Sequence, residues 1–155
     1  MRRVVIFGPG ASGKTTFAAQ LSRFTGLPHI ELDKLFWQPG LVAMPRRSWV
    51  EVQRQLVARD EWILDGDLGP YDAAEERLRA ADTVILLDFS PLLCMRRALR
   101  RPPERFDFWL WLLRYRSVYR PLLRKAIATH SRDAEVHILR SPKAIADFLK
   151  SKGAA

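Results

Sequence analysis

The sequence predicts an α/β protein built on a five-stranded parallel sheet with helices on both faces. Short apolar runs alternate along the chain with stretches of helical periodicity, the pattern of strands joined by helical crossovers. The first run, residues 4–7 (VVIF), is continuously apolar, as a strand buried on both faces must be. At 155 residues and 48% apolar composition, the chain is long enough to bury the core such a sheet needs, and is expected to be one domain, residues 1–155.

The elements follow in order. The first strand stops at Gly8-Pro9-Gly10, and a helix is expected from residue 13 to about residue 23, with Phe17, Leu21 and Phe24 inward and Gly26 as its stop. "LPHIEL" reads as a second strand reaching Asp33. "PRRSWVEVQRQLVARD" opens with Pro45, suited to a first helical turn, and spaces Trp49, Val52 and Leu56 helically, with Val57 as a further member. "EWILDG" is a short third strand ending at Asp65-Gly66, and "AAEERLRAAD" a charged surface helix. "TVILLDF" is the clearest strand of all. "SPLLCMRRALRR" is a helix with a Ser-Pro start, "EVHIL" a fifth strand, and "SPKAIADFLKS" a last helix. His130 and His137 read as a loop residue and a strand residue.

Composition narrows the function classes. No apolar run approaches the ~18 residues of a membrane span, and the run after "MRR" is too short for a signal peptide. A single cysteine, Cys94, excludes an internal disulfide and fits a reducing cytoplasm, where it reads as a small buried apolar group. The net charge is +9, and residues 96–125 alone carry ten basic and two acidic side chains, so the excess belongs to one segment. Within it, "RRPPERFDFWLWLLRYRSVYRPLLRK" (residues 100–125) also holds six aromatic rings.

Gly8 to Thr15 reads GPGASGKT and meets every defined position of G-x-x-x-x-G-K-[ST], between a strand and a helix as that motif requires. Gly8, Gly10 and Gly13 let the backbone approach phosphates, and the N–H groups of Ala11, Ser12, Gly13, Lys14, Thr15 and Thr16 are the expected donors at the helix N-terminus. Lys14 suits the β- and γ-phosphates of ATP, and the Thr15 hydroxyl suits Mg²⁺. The metal's water shell needs a carboxylate at a strand end. Asp65 and Asp88 both qualify, with Asp65 favoured because its strand is expected to neighbour the first.

Together, the phosphate loop, the "DG" of Asp65-Gly66, the "LDF" after the fourth strand and the Arg97/Arg101 pair resemble the adenylate kinase-like P-loop kinases. More closely, "HIELDKLFW", "EWILDGD", "ADTVILLDFSPLLCMRRALRR" and "LRSPKAIADFL" resemble the small proteins called DNA topology modulation proteins. The resemblance implies a three-layer P-loop NTPase fold with sheet order 2-3-1-4-5 and a short helical lid at about 100–125. It implies Asp65 beside the metal, through water, Arg97 and Arg101 at the lid's base over the phosphates, and Arg140 and Ser141 near the nucleotide base.

One departure concerns the acceptor. Adenylate kinases follow "DG" with an arginine that holds the acceptor's phosphate; here no arginine follows Asp65-Gly66 before Arg77. Asp33 with Phe36 and Trp37 resembles the D-x-F-Y of uridine kinases, with one extra residue in the spacing. A hydroxyl acceptor gains from a base at Asp33, and a phosphate acceptor would be repelled by it. The expectation is therefore an ATP-Mg²⁺-dependent kinase acting on a small hydroxyl compound or a nucleotide, with Lys14, Asp33, Arg97 and Arg101 as catalytic residues. The alternative is an ATP-binding regulator that hydrolyses ATP slowly and contacts DNA or RNA through residues 100–125. In that segment, Phe108, Trp109, Leu112, Leu113 and Tyr115 or Tyr119 can form one apolar face packed on the body. Its arginines are then solvated, bound to phosphates, or turned to nucleic acid or a membrane surface.

Overall fold

The computed structural model describes residues 1–100 and 106–153. Strands β1 (Arg3–Phe7), β2 (His29–Glu31), β3 (Trp62–Asp65), β4 (Thr83–Leu87) and β5 (Glu135–Leu139) form one wholly parallel sheet. Its order is β2-β3-β1-β4-β5, with β1 central and registered Val5 to Leu64 on one side and Val5 to Val84 on the other. The two-residue period of the strands sorts the core into layers. Val5, Phe7, Leu64, Val84 and Leu86 face one side with Trp49, Leu56, Leu78 and Ile127, and Val4, Ile6, Ile63, Ile85 and Leu87 face the other with Phe17, Leu21, Phe148 and Leu149. Helices α1 (Lys14–Thr25) and α8 (Pro142–Gly153) cover the second face; α3 (Arg46–Val57), α4 (Glu75–Ala80) and α7 (Arg120–His130) cover the first. Helices α5 (Pro91–Ala98) and α6 (Phe106–Arg114) form a third cluster around Phe89, Cys94 and Leu112.

Several boundaries differ from the sequence reading. The second strand is only three residues long, and Asp33 lies in the first turn of a short helix, α2 (Leu32–Phe36). Leu32 and Phe36, four residues apart, are both buried, and helical geometry is what puts that pair on one side. Phe24 is 57% exposed; the turn at Gly26 (φ 75°) carries Leu27 into the core in its place. A hairpin of Trp37–Gln38 with Val42–Ala43, absent from the sequence reading, turns through Gly40 and Leu41, both at positive φ. His130 ends α7 and is not a loop residue. From Phe106 to His130 the backbone is helical throughout, with a π turn at Tyr115–Tyr119 joining α6 to α7. Its inner face is Phe108, Trp111, Leu112 and Tyr115; Leu113, expected inside, is 61% exposed because Trp111 supplies the i, i+4 partner of Tyr115.

The helix read as a charged surface element buries its central cation. Arg77 is fully buried, and its guanidinium donates to both carboxylate oxygens of Asp72 (2.8 and 2.6 Å), to Gln53 Oε1 (2.6 Å) and to the Gly66 carbonyl (3.2 Å). It also lies 4.8 Å from the centroid of the Phe7 ring. Gln53 in turn donates to the Ala73 carbonyl (2.8 Å), so the network clamps the loop between β3 and α4 against the sheet. Removing the cation would leave Asp72 without its counter-charge, and the Gly66 carbonyl and Gln53 Oε1 without the guanidinium donor. Arg77→Ala is expected to cost about 3–5 kcal/mol of unfolding free energy in urea denaturation, as other broken buried pairs do; a loss below about 1 kcal/mol would show that the clamp contributes no net stability.

Candidate active site

The chain leaves β1 through a turn that no ordinary residue could follow. Gly8 and Gly13 have φ of 151° and 92°, and Ala11 is held at 58°, a strained value for a residue with a side chain. The loop wraps toward the first turn of α1, whose orphan N–H groups and dipole favour an anion at that point. Lys14 Nζ donates to the carbonyls of Gly8 (2.8 Å) and Pro9 (3.0 Å), which holds the ammonium over the loop it would leave to reach a phosphate. Thr15 and Thr16 are exposed on the same turn. Arg97 donates from Nη1 to the Ser12 carbonyl (3.0 Å) and stands 5.5 Å from the Phe89 ring centroid, so it braces the loop from α5.

A cleft of about 340 Å³ opens over this loop. Gly10, Ala11, Gly13, Lys14, Thr15 and Thr16 line it from below, Asp33 and Asp67 form an acidic wall, and Phe108 and Trp111 of α6 form the roof. The roof sits close. A Cβ on Gly10 would collide with the Phe108 and Trp111 rings, and one on Gly69 would collide with the Trp111 indole. Two polar ties hold the same helical segment down: Tyr115 donates its hydroxyl to Asp67 (2.9 Å), and Arg120 donates from Nη1 to both oxygens of Asp88 (3.0 and 3.1 Å).

The acids around the cleft differ in their partners. Asp65 is buried at the end of β3 and pairs with His29 Nε2 at 3.1 Å. Asp88 is neutralised by Arg120, with Arg140 Nε at 3.9 Å. Asp67 accepts from Tyr115 and from the Gly69 N–H (3.2 Å), and burial, opposed by Lys14 and reinforced by Asp72, pushes its carboxyl above the ordinary range. The carboxylate of Asp33 accepts no hydrogen bond from any described residue. Crowding by protein atoms pushes its carboxyl up to about 6; Lys14 opposes the shift, and Asp65, Asp67 and Asp72 add to it. The residue as a whole is exposed at the edge of the cleft. Burial and the neighbouring Asp67 hold the Tyr115 phenol protonated well above its ordinary value.

Thus the structure gathers the phosphate loop, Lys14, Thr15 and Asp33 into one cleft. Asp65 and Asp88 lie at neighbouring strand ends and do not line it. Arg140 is exposed at the end of β5, and Ser141 caps α8 through the Ala144 N–H (3.1 Å). Phe36 belongs to the core, packed edge-on to Trp49, while Trp37 is half-buried against Tyr71. Arg101 falls outside the described residues. Asp67 and Trp111 were missed from the sequence, while Tyr115 was read only as part of an apolar face and Arg120 only as one cation of the basic segment. The 108-111-112-115 spacing could have revealed the roof; nothing local distinguishes Asp67 from a turn residue after Gly66.

Comparison with proteins of known structure finds the same fold in several solved chains. A shikimate kinase from Acinetobacter baumannii, seen in complex with shikimate, superposes with a TM-score of 0.71 at 20% identity, over 97% of this chain and 90% of that one. The fold is that of the small P-loop kinases. A sugar kinase from Janibacter gives a TM-score of 0.63 at 21% identity, covering 97% and 93% of the two chains. A gluconokinase from Sinorhizobium meliloti gives 0.59 at 14%, covering 99% and 90%. No protein-family model matches the sequence, and no curated protein matches it.

The raised carboxyl of Asp33 fixes the sign of a pH effect. The folded chain holds this proton up to about pH 6, while an unfolded one releases it near 3.8. Between those values the native state binds more protons than the unfolded state, so Asp33 lowers stability as pH rises through that window. Asp33→Asn is expected to melt at a higher temperature than the parent at pH 7.5, with the difference shrinking toward pH 4. An unchanged difference across that range would place the Asp33 titration at its ordinary value.

Proposed function

We propose that this protein is an ATP-dependent phosphotransferase whose acceptor is a hydroxyl group on a small molecule. The observation that supports it is the shared cleft: a complete phosphate loop with Lys14 faces an aspartate whose carboxylate has no hydrogen-bonding partner among the described residues and a proton affinity near neutrality. A base poised near the working pH is what a hydroxyl acceptor needs, and an ionised phosphate acceptor has no use for one. The acceptor side points the same way. The first arginine after Asp65-Gly66 is Arg77, and the clamp on Asp72 and Gly66 occupies it fully. Among the described residues that line the cleft, the only cation is Lys14.

The residues present fit a magnesium–nucleotide complex. The cleft offers hard oxygen donors, the Thr15 hydroxyl and the carboxylates of Asp33 and Asp67, which is the donor set Mg²⁺ takes. Thr15 would hold the metal, with Asp65 acting through water in preference to Asp88, whose carboxylate Arg120 occupies. Mg²⁺ when bound supplies charge neutralisation at the transferred phosphoryl group. The chain's own residues do the rest. Loop N–H groups orient the phosphates, and Lys14 exchanges two backbone carbonyls for a phosphate oxygen. Asp33 orients the acceptor hydroxyl and takes its proton. Phe108 and Trp111 exclude water, which otherwise competes as acceptor. Arg97 holds the loop through Ser12, and Arg101 completes the charge over the phosphates. The topology modulation-like motifs support a place for the chain in that subgroup of the adenylate kinase-like proteins.

The test is kinetic. Lys14→Ala is expected to abolish turnover. Asp33→Asn keeps shape and hydrogen-bonding reach but removes the base, so kcat should fall by about 10²–10⁴ with nucleotide affinity little changed. Wild-type kcat in Asp33→Asn on a hydroxyl acceptor would return Asp33 to a structural role.

A further inference from the structure

The segment that stood out in the sequence is only half used by the cleft. Its inner face supplies the roof; its outer face is covered by nothing in the structure. Phe106 (82% exposed), Leu110, Leu113 (61%), Val118 and Leu122 (61%) project outward from one unbroken helical run. Phe106, Leu110 and Leu113 follow i, i+4, i+7 spacing. A continuous α-helix would rotate Val118 and Leu122 away from that line. The π turn at Tyr115–Tyr119 takes one residue more per turn, and so returns both to the outer face while leaving Tyr115 and Arg120 on their aspartates. One insertion thus keeps two faces in register over 25 residues.

Arg114, Arg116, Arg124 and Lys125 flank this apolar stripe, all exposed. From Phe106 to His130 the only acidic residue is Asp107, against five arginines and lysines. The stripe therefore asks for a partner that is apolar and anionic together. A second copy would set cations against cations. Single-stranded nucleic acid would stack on exposed rings, but Trp109, Trp111 and Tyr115 are turned inward and of the rings on this run only Phe106 is strongly exposed. Aliphatic side chains among arginines, on a protruding helix with no groove, match the interface of a bilayer that carries acidic headgroups.

We propose that the outer face of the α6–α7 helical run docks on an anionic membrane surface, with Phe106, Leu110, Leu113 and Leu122 entering the interface and Arg114, Arg116, Arg124 and Lys125 meeting lipid headgroups. No helix among the described residues is long and apolar enough to cross a membrane, so the association is peripheral and reversible. The roof of the cleft and the membrane face are opposite sides of one helix, which ties access to the cleft to the surface on which the protein rests.

Co-sedimentation with phosphatidylcholine vesicles, with and without 30% phosphatidylserine, tests this directly. The intact protein should pellet with the acidic vesicles and stay in solution with the neutral ones. Leu113→Asp and Leu122→Asp should each abolish pelleting, and Arg114→Glu and Lys125→Glu should each weaken it about fivefold or more. Arg23→Glu, an equal charge change on α1, should leave it intact. All five positions are exposed, and matched melting curves confirm that the variants fold. Failure to bind either vesicle, equal binding to both, or pelleting that survives Leu113→Asp would each overturn the proposal. So would sedimentation velocity showing a dimer lost in Leu113→Asp, or binding of a single-stranded oligonucleotide lost in that variant.

Discussion

A Cβ carbon at position 10 would collide with the rings of Phe108 and Trp111, so the roof of the cleft rests on the bare backbone of the phosphate loop. Everything around the site is arranged by that contact. It sets the height of α6 above the loop. It carries Trp111 across to Gly69, and it brings Tyr115 within hydrogen-bonding distance of Asp67. On the proposed function, phosphates in the loop lie next to the Phe108 and Trp111 rings that line the same cleft. The ties at Tyr115–Asp67 and Arg120–Asp88 are part-buried and hold the helical segment of the roof to the strand ends.

The acids divide by partner. Asp72 belongs to Arg77, Asp88 to Arg120, Asp65 to His29 and Asp67 to Tyr115. Asp33 has none among the described residues, although it stands in the same field. A carboxylate left unpaired beside three others costs stability; the buried Arg77 clamp shows that the fold can pair an aspartate tightly where structure requires it. The contrast between Asp72 and Asp33 is the physical basis for reading one as scaffold and the other as chemistry.

The sheet was legible because the runs of β1 and β4 are almost wholly apolar and the phosphate loop closes the first of them; direction and most helices follow from that pattern, while the strand order came from the resemblance to adenylate kinase-like proteins. The limits were local. Asp33 looked like a strand end because "HIEL" alternates polar and apolar residues, yet Leu32 and Phe36 come to one buried side by turning helical. Arg77 looked like surface charge because its partners, Gln53 on α3 and Gly66 and Asp72 in the loop before α4, are brought together only by the fold. The roof was legible in part: Phe108, Trp109, Leu112 and Tyr115 pack inward as read, but Trp111 was missed and Leu113 turned outward, since several helical registers fit a segment so rich in apolar residues. The π turn that resolves the register has no signature in sequence.

The central claim is that one cleft both holds the nucleotide and delivers its phosphoryl group to a hydroxyl. Phosphorus-31 NMR of the protein with Mg-ATP and a panel of sugars, amino alcohols, nucleosides and polyhydroxy acids tests it most directly. The account predicts a new phosphomonoester resonance that grows with ADP for one class of acceptor and is absent in Lys14→Ala. Conversion of ATP to ADP and inorganic phosphate alone, at a rate no acceptor changes, would contradict it.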